Sequence, residues 1–231
     1  MAVTAIALLA FLGSEAAPFQ GTHGNTLERG VDYLVRQQDS SGCFGPLNAA
    51  TMYNHGIATV ALLEAYKFTE KESWRRPIDA ALNYLCACQK AEGGWGYLPG
   101  NAGDANTAVS IWPLQALFLA RNLGWESTVP HLEQGLGWLK TMVDQEGRVG
   151  YQTPGDFPYG PHTLTAMGAF CLAAGDLGGP ASDELRERVG VSLQRLASDR
   201  APGVDYYRGF FLAYAMQAAR GTSSSGWRKE A

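Results

Sequence analysis

Charge is scarce in this chain. Only 17% of its 231 residues are Asp, Glu, Lys or Arg, and they balance to a net −4. The basic residues are scattered, so the clustered Lys and Arg that nucleic acid or an anionic membrane surface needs are missing, and no nucleic-acid partner is expected. The closing "GWRKEA" is too short to alter that. Cysteine is also sparse. Cys43, Cys86, Cys88 and Cys171 fall in no paired metal spacing, and Cys86 and Cys88, two apart on a helix, face different ways. The apolar opening "MAVTAIALLAFLG" is too short to cross a bilayer as a helix, so no transmembrane segment is expected. A phosphate-cradling loop is missing as well: "GGWGYLPG" has no following Lys-Ser/Thr and joins no strand to a helix. No motif calls for a cofactor or a metal.

Glycine, with 28 residues, is abundant, and 46% of the chain is hydrophobic. The segments "LERGVDYLVRQQDSSGCFG" (27–45), "IDAALNYLCACQKAEGGWG" (78–96) and "LEQGLGWLKTMVDQEGRVG" (132–150) align without gaps. Leu27, Ile78 and Leu132 share a column, as do Val31, Leu82 and Leu136, then Leu34, Leu85 and Leu139. Gly42, Gly93 and Gly147 align, followed by Phe44, Trp95 and Val149. Self-similarity at a period of about fifty residues predicts a stacked array.

In each copy the apolar columns fall at i, i+4 and i+7, one stripe of an amphipathic outer helix, and the aligned glycine ends it. The segments 56–66, 107–120 and 163–174 that follow are apolar or small nearly all round, as inner helices must be. Pro113 is expected to kink the second of these or to sit in its first turns. A fourth, degraded copy starts at Leu185 and Val189 and ends with an inner helix over 208–221. The stretch 4–13 resembles the inner helices and is read as half of an earlier repeat, in preference to a signal peptide, whose basic flank it lacks. The recurrent aromatic is expected to plug the space between neighbouring outer helices, so Trp95 is read as architectural.

An apolar helix, then Gln, then the glycine and aromatic, is similar to the glutamine-tryptophan motifs of the terpenoid cyclases and to the repeats of protein prenyltransferase β subunits. The motif stands here as Gln38 with Gly42 and Phe44, Gln89 with Gly93 and Trp95, and weakly as Gly147 with Val149. The resemblance covers nearly the whole chain, and "MYNHGIATVALLEAY" and "GDANTAVSIWPLQAL" look most like bacterial proteins carrying such repeats. It implies an all-α fold, an α/α toroid of helix-pair repeats around an apolar cavity. Five inner and four outer helices are expected in one domain, 1–220, followed by a flexible tail, 221–231. The N-terminal edge is expected to be incomplete, exposing apolar side chains.

The chemistry of those families is not matched. Thr107, Ala108 and Val109 repeat the end of the cyclase acid motif, but its acidic positions fall on Gly103, Ala105 and Asn106, so the alkene-protonating acid is missing. Asp104 is read as the N-cap of the inner helix. Aligning the prenyltransferase zinc ligands on Trp112 puts Asn106 and Ala108 where Asp and Cys are needed, and only His162 agrees. The cysteines read as small core residues.

Inner helices that start at one mouth bring polar side chains there, together with their free N–H groups. The candidate ligand-binding residues are Tyr53, His55, Asp104, Asn106, Trp112, Tyr159, His162, Tyr207 and Arg208. His55, Asp104 and His162 follow the aligned glycines at similar distances, so they are expected to cluster at one opening. The function this implies is binding of an isoprenoid, another lipid or a protein partner in the cavity, without intact cyclase or zinc-transferase chemistry. An active cyclase or prenyltransferase-type enzyme is the alternative.

Overall fold

A computed structural model describes residues 1–14, 17–100, 102–158, 160–175, 180–198 and 205–222. The helices are α1 (Ala2–Leu12), α2 (Gly24–Arg36), α3 (Thr51–Thr69), α4 (Glu72–Ala87), α5 (Thr107–Asn122), α6 (Val129–Thr141), α7 (His162–Ala174), α8 (Pro180–Ser198) and α9 (Tyr206–Thr222), with one 3-10 turn at Glu126–Thr128. Among the described residues there is no strand, only the isolated bridges Gln38–Phe44 and Val143–Val149 that close two turns. Odd-numbered helices pack on one another in series, α1 on α3, α3 on α5, α5 on α7 and α7 on α9, while the even-numbered ones lie outside them. The chain is thus an α/α toroid of helix-pair repeats, with five inner and four outer helices among the described residues. No helix among them is long and apolar enough to cross a membrane. The expected tail falls outside them from residue 223 onward.

Side-chain pattern explains the two rings. Helix α2 buries Leu27, Val31 and Leu34, a single stripe, whereas α3 buries every residue from His55 to Leu63. Close approach of inner helices needs small residues: a Cβ at Gly56 would stand 2.8 Å from Trp112 Cβ and 3.2 Å from Pro113 Cδ. Pro113 is the seventh residue of α5 and is buried there. At the first edge, α1 buries Ala5, Leu8 and Leu12 against α2 and α3 and leaves Val3 83%, Ile6 46% and Phe11 43% exposed.

The repeated turn is a joint between successive outer helices. Gly42, Gly93 and Gly147 have φ of +90°, +108° and +77°, and a Cβ would lie 2.3, 2.5 and 2.2 Å from the carbonyl oxygens of Ala80, Gln134 and Arg188. Each glycine therefore serves two needs, a left-handed backbone and contact with the next outer helix. The glutamines tie the same parts together. Gln38 Nε2 donates to Gly42 O (3.0 Å) and Pro77 O (2.9 Å), and Gln89 Nε2 to Gly93 O (2.8 Å) and His131 O (2.9 Å).

Phe44, Trp95 and Val149 are all fully buried. Trp95 Nε1 donates to Leu85 O of α4 (2.9 Å), and its ring edge approaches Gly135 of α6, between the two outer helices as expected. Each plug also donates its backbone N–H to a side chain near the start of the following inner helix: Phe44 to His55 Nδ1 (3.2 Å), Trp95 to Ser110 Oγ (2.8 Å) and Val149 to Thr165 Oγ1 (3.0 Å). His55 is thus the structural counterpart of Ser110 and Thr165, not of Asp104 and His162.

Candidate functional site

The two residues after each of the later plugs carry the chain across the N-terminus of the preceding inner helix. Tyr97 O accepts Met52 N of α3 (3.3 Å), and Tyr151 O accepts Thr107 N of α5 (2.8 Å), so these carbonyls satisfy first-turn amides. This crossing delivers two tyrosine side chains to the mouth of the inner ring. Tyr97 Oη lies 2.8 Å from Tyr151 Oη, and the Tyr97 ring is 5.8 Å from that of Tyr53 in the first turn of α3. Tyr207, in the first turn of α9, completes the group, and its hydroxyl accepts a 2.8 Å bond from Trp112 Nε1. Tyr97 is 41% exposed and Tyr207 36%, so this aromatic surface faces water.

Below this surface, described aromatic side chains pack together. Trp112 and Phe211 are buried with ring centroids 5.4 Å apart, and Phe211 also meets Phe170 at 6.2 Å.

Desolvation keeps the Tyr53 and Tyr207 phenols neutral. Desolvation raises the Tyr53 hydroxyl well above its ordinary value, and ionised Tyr207, Tyr97 or Tyr151 would repel its own charge. Tyr207 is pushed up to about 12 by desolvation; its ring is partly exposed, but its hydroxyl is held against the Trp112 indole. These groups are hydrogen-bond donors at neutral pH. Two carboxylates move the other way. Asp205 is held below its ordinary value by the Arg208 backbone N–H and by Thr163 Oγ1, and Asp39 by Ser41 and its turn amides. A general acid for alkene protonation needs the opposite shift.

One buried cation supports the mouth. Lys90, 4% exposed, donates to Gly100 O (2.9 Å) and Ala102 O (3.0 Å), clamping the loop that carries Tyr97. The loop is tight at that point, since a Cβ at Gly96 would lie 2.6 Å from Asp104 O and 2.9 Å from Lys90 Cε.

The structure brings together Tyr53, Trp112 and Tyr207 of the candidate residues, and adds Tyr97 and Tyr151. The sequence carried a signal for these two, because Gly96-Tyr97 and Gly150-Tyr151 continue the repeat alignment one column past the last glycine. The other candidates lie elsewhere. His55 is fully buried: Nε2 donates to Ala81 O (3.0 Å), Nδ1 accepts the Phe44 amide, and desolvation lowers it to about 4, so it is a neutral core residue. The N-cap of α5 is Asn106, whose Oδ1 accepts Val109 N (3.0 Å); Asp104 is exposed just before it and does not cap. Arg208 is buried with Nη2 on Leu196 O (2.6 Å), turned toward α8. His162 is exposed at the start of α7, and Tyr159 lies outside the described residues. No three His, Cys, Asp or Glu side chains among the described residues are placed to hold a metal, so the His55, Asp104 and His162 cluster does not form.

No known family model and no curated protein matches the sequence. Solved structures do share the fold. A polysaccharide lyase superposes with a TM-score of 0.66 at 16% identity, over 89% of this chain and 70% of its own. A glycosyl hydrolase family 88 protein from Bacteroides vulgatus gives 0.64 at 11% identity, over 95% and 73%. The unsaturated glucuronyl hydrolase of Bacillus sp. GL1, described as responsible for the degradation of glycosaminoglycan, gives 0.63 at 16% identity, over 94% and 73%. These neighbours correct the resemblance to terpenoid cyclases and prenyltransferases, and with it the isoprenoid function and its cyclase alternative. The physical reason is that Gln, Gly and aromatic form the joint of the helix-pair repeat, so the motif reports architecture and carries no information about chemistry. At these identities the likeness establishes the fold alone.

Proposed function

We propose that this protein binds carbohydrate at its tyrosine mouth, as a member of the carbohydrate-processing α/α toroids rather than of the isoprenoid ones. The observation that carries the proposal is the exposed tyrosine surface with the Tyr97 and Tyr151 hydroxyls paired at 2.8 Å. A pyranose ring has an apolar C–H face and a rim of hydroxyls. Aromatic rings, negative on their faces, attract the first, and neutral phenols, which both donate and accept, match the second. The site also stands where the inner helices begin, the end at which the fold gathers side chains from separate repeats. The neighbours named as a polysaccharide lyase and as glycoside hydrolases support the ligand class.

Isothermal titration against a panel of neutral and acidic oligosaccharides tests the proposal. Binding to at least one is expected, and Tyr97→Ala/Tyr151→Ala should weaken it at least tenfold, about the loss of one or two hydrogen bonds and a stacking contact. Failure of every oligosaccharide to bind the wild type, or undiminished binding by the double variant, contradicts it.

A further inference from the structure

Asp39, Lys90 and Asp144 share a column of the repeat, and their backbones close the three turns in the same way. Asp39 N donates to Cys43 O and Asp39 O accepts Gly42 N, both at 3.0 Å; Lys90 makes the same pair with Gly94 and Gly93 (3.0 and 2.8 Å), and Asp144 with Arg148 and Gly147 (2.9 and 3.1 Å). In the first and third turns the side chain adds a cap. Asp39 Oδ1 accepts Ser41 N (2.8 Å) and Cys43 N (3.0 Å), and Asp144 Oδ1 accepts Glu146 N and Arg148 N (2.9 Å each). Lysine has no acceptor, so the middle turn forgoes this cap.

The Lys90 side chain serves another segment instead. Its ammonium leaves the turn for Gly100 O (2.9 Å) and Ala102 O (3.0 Å), in the loop that carries Tyr97. Gly100 is held from its other side as well, its N–H on the Cys88 sulfur. Burying an ammonium is costly, and the turn does not require one, since the other two copies close with aspartate. What lysine adds at this column is therefore a fixed loop. Without the clamp that loop is permissive, because Gly100 and Gly103 have φ of +66° and +69° with open space around them.

We infer that Lys90 is a positioning residue of the tyrosine mouth, holding the loop so that Tyr97 Oη already meets Tyr151 Oη before a sugar arrives. This role rests on the carbohydrate-binding proposal and deepens it. A tyrosine on a free loop would have to be ordered at the moment of binding, whereas the clamp moves that cost into folding. Lys90 acts through Tyr97 and touches no sugar.

Two variants separate this role from a structural one. Lys90→Met keeps the stem beside Gly96 and removes the donors; Lys90→Asp restores the cap of the other two turns and releases the loop. Both are compared with wild type by hydrogen exchange of the amides at 97–103, by urea unfolding and by calorimetry with a neutral β-1,4-glucose tetrasaccharide, or with a panel member that binds if this one does not. In both, the loop amides should exchange about tenfold faster while the urea midpoint stays within about 0.5 M of wild type. Binding should weaken about fivefold, the cost of ordering one side chain. In a Tyr97→Ala background Lys90→Met should change the affinity no further. Unchanged loop exchange, the same fivefold loss in the Tyr97→Ala background, or failure of both variants to unfold cooperatively overturns the positioning role. If no oligosaccharide binds the wild type, the carbohydrate reading falls, and loop exchange alone decides whether Lys90 holds Tyr97.

Discussion

Substituting His55 by asparagine turns the acid sensitivity of the fold into a measurable difference. In the native chain Nδ1 receives the Phe44 amide and Nε2 donates to the Ala81 carbonyl, so a proton on Nδ1 would displace a buried hydrogen bond. Burial holds the imidazole at about 4 against an ordinary 6.5. The folded state therefore binds fewer protons than the unfolded chain between those values. Stability from this group is complete above about pH 6.5, is lost as the pH falls toward 4, and changes no further below that. The difference corresponds to about 3 kcal/mol. In the His55→Asn variant the side-chain amide can still accept the Phe44 N–H but cannot titrate, and the substitution removes the Ala81 bond and the ring contacts with Phe44 and Tyr84 at 5.7 and 4.8 Å. The variant should be about 2–3 kcal/mol less stable than wild type at pH 7. Urea unfolding followed by far-ultraviolet circular dichroism at half-unit steps from pH 7 to 4 provides the assay, and taking the difference between the proteins cancels the carboxylate titrations they share. The gap should close by most of its size across that range. Parallel loss of stability in both proteins, or an imidazole titrating near 6.5 by NMR, would refute the assignment of His55 to the core.

Two further substitutions probe the joint. Gly93→Ala should cost about 3 kcal/mol or more, because its Cβ meets the Gln134 carbonyl in a left-handed backbone, whereas Gly100→Ala, with φ +66° and open space around it, should cost only about 1 kcal/mol; chemical denaturation distinguishes them. Gln89→Leu removes the bonds to Gly93 O and His131 O and should lower stability by about 2–3 kcal/mol in the same assay.

The architecture was legible because it depends on periodicity. The Leu27, Val31, Leu34 stripe and the all-round apolar 163–174 segment each dictate one kind of helix, and the aligned glycines mark joints whose φ and crowding admit no other residue. The site was only half legible. Distance along the chain from Gly42 placed His55 with Asp104 and His162, but α3 begins earlier relative to its residues than α5 and α7 do, so the equivalent positions are Ser110 and Thr165. Residue type concealed this, because a histidine nitrogen and a serine or threonine hydroxyl accept the same amide. Tyr97 and Tyr151 were hidden for a different reason: they belong to turns, and only the crossing of those turns over α3 and α5 brings their hydroxyls together.

A crystal structure of the protein soaked with the neutral glucose tetrasaccharide is the most direct test of the tyrosine mouth as a carbohydrate site. Expected is a sugar ring against Tyr97 or Tyr207, with two adjacent hydroxyls on Tyr97 Oη and Tyr151 Oη and the 2.8 Å bond between those phenols broken. Sugar bound elsewhere, such as on the exposed face of α1, with the phenol pair undisturbed would contradict it.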